Sequence, residues 1–121
     1  MSRYRYRALY AEDEMSNRKV VKLALQRYDV EVDLAVDGQE ALTMYEPGKY
    51  DIVLLDQYMP FKNGDQVIAE IRKADSKQPV LAITSDDTCA AELLRAGFDD
   101  VLIKPLLGTD YLSRIVSHLP K

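Results

Sequence analysis

The sequence predicts an α/β protein built on a doubly wound parallel sheet. Two observations carry this. Short apolar runs alternate five times with segments of helical spacing, and no linker, low-complexity stretch or internal repeat interrupts the series. Parallel strands joined by right-handed crossovers then place helices on both faces of one sheet. At 121 residues, 47% of them hydrophobic, residues 1–121 are expected to form a single domain with one filled core.

The first strand is expected over Arg5 to Ala11. The first helix follows over Met15 to Tyr28, where Val20, Val21, Ala24, Leu25 and Tyr28 form one apolar stripe at i, i+3, i+4 spacing. Glu31 to Ala35 alternates as an edge strand should. The second helix opens at Asp37-Gly38, carries Ala41, Leu42 and Tyr45, and stops at Pro47-Gly48. Ile52 to Leu55 is continuously apolar between Asp51 and Asp56, as a central strand covered on both faces requires. A third helix from Gly64 turns Val67, Ile68 and Ile71 inward. Val80 to Thr84 is the fourth strand, and Thr88 to Ala96 a fourth helix closed by Gly97. Val101 to Lys104 is the fifth strand, and Asp110 to Leu119 a fifth helix behind Thr109 as N-cap.

Composition excludes several function classes. Sixteen Lys+Arg against 20 Asp+Glu give a net charge of −4, the wrong field for nucleic acid. The one basic cluster, Arg3, Tyr4, Arg5, Tyr6, Arg7, reads as a strand edge. A single cysteine, Cys89, cannot form an intrachain disulfide, and a single histidine, His118, cannot build a multi-histidine metal site. No Gly-x-Ser-x-Gly motif accompanies His118. Apolar runs stay far below the ~20 residues that span a bilayer, and no signal peptide is visible, so no membrane insertion and a cytoplasmic location are expected.

In a doubly wound sheet the ligand site lies beyond the carboxyl ends of the strands, at the switch in winding direction. The residues there are Glu12-Asp13-Glu14, Asp56, Thr84-Ser85 and Lys104-Pro105. Carboxylates brought about 5 Å apart repel by roughly 3 kcal/mol per pair at an effective dielectric of 20. The cluster therefore calls for a cation. With oxygen ligands alone that cation is hard, Mg²⁺ or Mn²⁺ in its place, and it keeps a position for a phosphoryl oxygen. Lys104 offers a point charge and Thr84 a hydroxyl at the same place. Taken singly, Glu14 suits a cap on the first helix, Thr84 a turn, and Lys-Pro an exit from a sheet.

From about Arg7 to Leu119 the chain resembles the receiver domain of two-component signalling, the response-regulator phosphoacceptor module. The residues that carry this are Glu12-Asp13, Asp56 with Met59-Pro60 and Gly64 after it, Thr84-Ser85, and Lys104-Pro105. The segment from Ala11 to Val20, with Asp37 to Leu42, is similar to receivers carried by hybrid sensor histidine kinases, whose parent chains can be membrane-anchored. The resemblance implies a flavodoxin-like (βα)5 fold with strand order 2-1-3-4-5. It implies that Asp56 accepts a phosphoryl group from the phosphohistidine of a histidine kinase or histidine phosphotransfer protein. Asp13, Asp56 and the backbone carbonyl of Tyr58 would hold Mg²⁺, with Glu12 acting through a coordinated water. Lys104 and Thr84 would each engage a phosphoryl oxygen, and the Lys104-Pro105 peptide would be cis. Such a domain is a signalling phosphoacceptor and not an enzyme acting on other substrates.

Three features depart from the family's pattern. Val101 stands where an aromatic switch residue is common, and the stretch from Thr84 to Gly97 is short. Asp99, Asp100, Asp110 and Arg114 resemble charged positions of receivers that dimerise through the fourth and fifth helices, so the expected state is a monomer or a phosphorylation-dependent dimer; Asp110 and Arg114 alternatively form an i, i+4 pair. A phosphotransfer partner is expected across Met15, Ser16, Lys19, Leu106 and Leu107, with core packing the alternative for Leu107. Tyr58 and Asp86 would border the path of water to the phosphoryl group. The competing readings are a pseudo-receiver docking module, a haloacid-dehalogenase-like phosphatase and a nucleotide-binding fold. The phosphatase reading meets Tyr58 where a second aspartate belongs; the nucleotide fold meets acids where glycines should admit phosphates.

Overall fold

The computed structural model describes residues 4–59 and 61–120; Arg3 of the basic cluster, Pro60 of the Met59-Pro60 pair, and Lys121 lie outside the described residues. Strands β1 (Tyr6–Ala11), β2 (Val30–Ala35), β3 (Ile52–Asp56), β4 (Val80–Thr84) and β5 (Asp100–Ile103) alternate with helices α1 (Met15–Gln26), α2 (Gly38–Met44), α3 (Gly64–Ala74), α4 (Ala90–Ala96) and α5 (Asp110–Ser117). All neighbouring strands pair in parallel, in the order β2-β1-β3-β4-β5. This is the flavodoxin-like arrangement expected from the sequence.

Side chains two apart on a strand share a face, and here that period divides the core in two. Leu9, Ala11, Val53, Leu55 and Ala82 meet Ala41 of α2, Val67, Ile68 and Ile71 of α3, and Leu93 of α4. Ala8, Tyr10, Ile52, Leu54, Leu81 and Ile83 meet Val21 and Leu25 of α1 and Tyr111, Leu112 and Ile115 of α5. Every residue of β3 and β4 is buried, which is why both read as unbroken apolar runs. Among the described residues no helix is long and apolar enough to cross a membrane.

The α1 stripe is narrower than the spacing suggests. Val21 and Leu25 are buried and Ala24 packs beside them, but Val20 is 57% exposed and Tyr28 39%. The helix ends at Gln26 and the chain turns away through Asp29, at φ 66°, so Tyr28 never joins the helical face. Helix α2 starts where Asp37 and Gly38 predict, because the Asp37 carboxylate accepts the Glu40 amide at 2.8 Å while Glu40 accepts the Val36 amide at 3.0 Å. The expected fourth helix is divided. Asp87–Cys89 forms a 3₁₀ turn, and the α-helical part has seven residues before Gly97, whose φ of 118° an L side chain resists. Thr109 precedes α5 without a side-chain cap; its carbonyl accepts the Ser113 amide at 3.1 Å instead.

Two arginines tie the ends of these elements together. Arg72 donates to the Gly97 carbonyl from Nε and Nη2 (3.1 and 2.8 Å), to the Gln78 carbonyl from Nη1 (2.6 Å), and to Asp99 Oδ2 (3.0 Å), which also accepts the Val80 amide at 2.8 Å. Arg114 pairs with Asp100 and donates to the Val101 carbonyl at 2.9 Å, and His118 Nε2 lies 3.2 Å from Asp100 Oδ2. Arg114 thus reaches across to β5; the i, i+4 pair with Asp110 does not form. Burial alone would raise the Asp100 carboxyl, but the bonds from Arg114, the Val101 amide and His118 outweigh it and hold the group below its ordinary value of 3.8. Its contribution to stability is complete above the ordinary range and is lost as pH falls through the depressed value. The urea midpoints of wild type and Asp100→Asn should therefore be well separated at neutral pH and draw together as pH falls below the ordinary carboxylate range.

Candidate functional site

The chain winds outward from β1 to β2 and returns past β1 to β3, so the carboxyl ends of β1 and β3 flank the reversal. The register Ala11↔Leu55 makes Glu12 and Asp56 neighbours across it. On the far side the Lys104 amide bonds to the Thr84 carbonyl at 2.8 Å, one step beyond β5. From there the ammonium reaches back over the rim. Lys104 Nζ is 2.6 Å from Asp56 Oδ2, 3.0 Å from Glu12 Oε2 and 3.3 Å from Glu12 Oε1.

Both of its acidic partners are out of solvent: Glu12 is fully buried and Asp56 is 4% exposed. Glu12 Oε1 also accepts the Glu14 amide at 3.3 Å, Oε2 accepts the Tyr10 hydroxyl at 3.4 Å, and the Glu12 carbonyl accepts from Arg18 at 2.7 Å. Asp56 Oδ1 accepts the Tyr58 amide at 3.2 Å. Burial, with Asp56 alongside, holds the Glu12 carboxyl above the usual carboxylate range even though Lys104 pulls the other way. Burial opposes the Lys104 charge, but its bonds to Asp56 and Glu12 prevail and keep its pKa above the ordinary value.

One carboxylate oxygen from each of Glu12, Asp13 and Asp56 falls within 4.8 Å of the others, and Asp13 is the exposed member. The donor set is entirely oxygen. It suits a hard divalent cation open to water on one side. The loop after β3 closes tightly on this rim. A Cβ at Gly64 would stand 2.9 Å from the Asp56 carbonyl oxygen, so glycine is needed for α3 to begin there. The Gly64 amide bonds the Gln57 carbonyl at 2.9 Å and the Asp65 amide the Gln57 side chain at 3.1 Å.

Other expected positions behave differently. The Thr84 hydroxyl is fully buried, and its oxygen accepts the Asp86 amide of its own loop at 3.1 Å. The Asp86 carboxylate is likewise turned toward its own 3₁₀ turn, where it accepts the Thr88 amide at 3.0 Å. Tyr58 is 53% exposed. Glu14 occupies the N-cap position of α1 without capping it through its side chain; its carboxylate accepts from Asn17 at 3.4 Å. Val101 is buried in the core beside Leu93 and Phe98. The Lys104-Pro105 peptide is cis, as the resemblance implied. Sequence reasoning passed over Tyr10, although a tyrosine in an otherwise apolar strand two residues before a glutamate shares that glutamate's face.

Beside the rim, α1 and the segment after Pro105 enclose a cavity of about 480 Å³ lined by Tyr10, Asn17, Val20, Lys104, Leu106 and Leu107 among others. Leu107 is 73% exposed and takes no part in the core.

A doubly wound parallel sheet whose carboxyl rim joins three acids to a lysine defines the phosphoacceptor class of signalling domains. The response regulator receiver domain profile matches residues 8–116, and the chain belongs to that family. Receivers are phosphoacceptor signalling domains and not classical enzymes. The chain is 38% identical over 102 residues to the aerobic respiration control sensor protein ArcB of Escherichia coli, covering 81% of this chain and 13% of ArcB. It spans half or less of the first curated relatives it matches, which include transcription regulators. Among solved structures, response regulator TrrA of Thermotoga maritima, in complex with Mg²⁺-BeF, superposes with a TM-score of 0.85 at 32% identity over 95% of this chain and 99% of that one. The receiver domain of sensor histidine kinase PA1611 of Pseudomonas aeruginosa, with magnesium in its active-site cleft, gives 0.83 at 29% identity over 94% and 96%.

Lys104 is a cation that offsets two buried carboxylates. Lys104→Met should lower the unfolding free energy by about 2 to 3 kcal/mol in chelator, since it strands charge out of water. Millimolar Mg²⁺ should restore most of that loss. Urea titrations with chelator and with Mg²⁺ provide the measurement, and a variant as stable as wild type in chelator contradicts the role.

Proposed function

We propose that Asp56 is the phosphoacceptor and that the group comes from the phosphohistidine of a histidine kinase or histidine phosphotransfer protein. The observation that carries this is the 2.6 Å contact between Lys104 and a nearly buried Asp56 beside a second buried acid. In the transfer an Asp56 carboxylate oxygen forms the new P–O bond as the donor's P–N bond breaks, and the donor's imidazole keeps the electron pair. Glu12, Asp13, Asp56 and the backbone carbonyl of Tyr58 would hold Mg²⁺, or Mn²⁺ in its place, directly or through water. That ion supplies positive charge opposite the phosphoryl oxygens. Lys104, already against Asp56, follows the transferred group to one of its oxygens, and the Thr84 hydroxyl donates to another. Little else is required of the protein, because phosphoryl transfer depends on positioning and charge.

Intact mass after incubation with acetyl phosphate should show one phosphoryl group on wild type in Mg²⁺, none in chelator and none on Asp56→Asn. Equal incorporation in wild type and Asp56→Asn rejects the assignment. By calorimetry, Asp13→Asn should weaken Mg²⁺ binding sharply and Glu12→Gln less, because a water-mediated contact can rearrange where a direct charge-assisted one cannot.

The partner's phosphohistidine-bearing helix docks over the cavity between α1 and the segment after Pro105, with Met15, Ser16 and Lys19 on one side and Leu106 and Leu107 on the other. That cavity is continuous with Lys104, and an apolar side chain as exposed as Leu107 gains by being covered. Lys19→Glu and Leu107→Asp should label normally with acetyl phosphate while accepting phosphoryl groups from a cognate phosphohistidine about tenfold more slowly; unchanged transfer in both removes the surface from consideration. The domain works in the cytoplasm, alone or as one part of a longer regulator or hybrid kinase.

A further inference from the structure

We infer that Tyr10 is a positioning residue for Glu12, holding its buried carboxylate in place when Lys104 turns to a phosphoryl group. The inference rests on the phosphoacceptor assignment above. Glu12 has no solvent-exposed surface, so bulk water does not replace a lost partner. Its two oxygens have three donors in all: the Lys104 ammonium, the Glu14 amide and the Tyr10 hydroxyl. Lys104 is shared with Asp56, and it lies closer to Asp56, at 2.6 Å, than to Glu12, at 3.0 Å. Once the ammonium follows the phosphoryl group, Tyr10 is the one side-chain donor left to Glu12 among the described residues.

The choice of residue fits that duty. Tyr10 stands in the apolar layer beneath α1 and α5, with Ala8, Val21, Leu25 and Leu102 in the same cluster, where phenylalanine would fill the space without a polar atom to satisfy. A buried phenol needs a partner for its hydroxyl, and the alternation of β1 supplies Glu12 on the same face. Their contact, 3.4 Å, is long while Lys104 holds the same oxygen at 3.0 Å. A phenol keeps its proton at physiological pH, so its hydroxyl is available as a donor. Being neutral, it holds Glu12 without drawing positive charge away from the metal position.

Tyr10→Phe removes the hydroxyl alone and tests the idea in the intact domain. Its thermal midpoint in chelator should lie close to wild type, since Lys104 then still serves Glu12. Affinity for Mg²⁺ alone should fall slightly, and affinity for beryllofluoride with Mg²⁺, a phosphoryl mimic, by about fivefold. In a Glu12→Gln background the same Tyr10→Phe change should have no effect on beryllofluoride binding. Equal beryllofluoride affinity in wild type and Tyr10→Phe overturns the inference, as does an equal loss in both backgrounds, which would place the effect in packing. A wild-type domain that binds neither Mg²⁺ nor beryllofluoride would instead reject the underlying phosphoacceptor assignment.

Discussion

The constraint on which this molecule turns is electrostatic. A parallel β1–β3 pair forces Glu12 and Asp56 together, and the next residue, Asp13, adds a third carboxylate at the same rim. Nothing about folding favours such a cluster; two of its members are out of water, and like charges at that spacing repel by a few kcal/mol. Lys104 is the fold's internal answer, delivered from an edge strand through the extra β4–β5 hydrogen bond that carries the pairing one residue past β5. The remainder of the structure supports that geometry: Gly64 lets α3 start against the Asp56 carbonyl, and Arg18 anchors the Glu12 backbone.

The fold was almost wholly legible, because two periods, 2 along the strands and 3.6 along the helices, are written in apolar residues that can be read singly. Where it was misread, the cause was a turn. Tyr28 fits the α1 spacing but lies past the helix end at Gln26, in the turn that leads into a left-handed Asp29, and Thr88 fits a helix that begins as a 3₁₀ turn. Thr109 has the chemistry of an N-cap and the wrong orientation for one.

The site was legible as a set of strand ends but not in its pairing. Position in the chain shows that Glu12, Asp13, Asp56 and Lys104 reach one rim. It does not show that Lys104 is already bound to two of the acids, nor that the Thr84 hydroxyl oxygen accepts the Asp86 amide. Such contacts depend on side-chain rotamers chosen by neighbours distant in sequence. Val101 illustrates the opposite case. The absence of an aromatic ring was visible at once, and the structure adds that valine fills the core beside Leu93 and Phe98. The β4–α4 loop therefore faces no aromatic ring at position 101, and a 3₁₀ turn and the short α4 follow it.

The Arg114–Asp100 clamp, with Arg72 on Asp99, leaves the charged edge around β5 paired within one chain. A second copy seeking those same charges must displace partners that are tethered in place. Tethering over a short span corresponds to an effective concentration of roughly millimolar or more, far above the level at which free copies meet. Two identical chains thus gain almost nothing by exchanging such pairs until something first moves β5 or α5. Charges already satisfied in this way add little to the affinity of one copy for another.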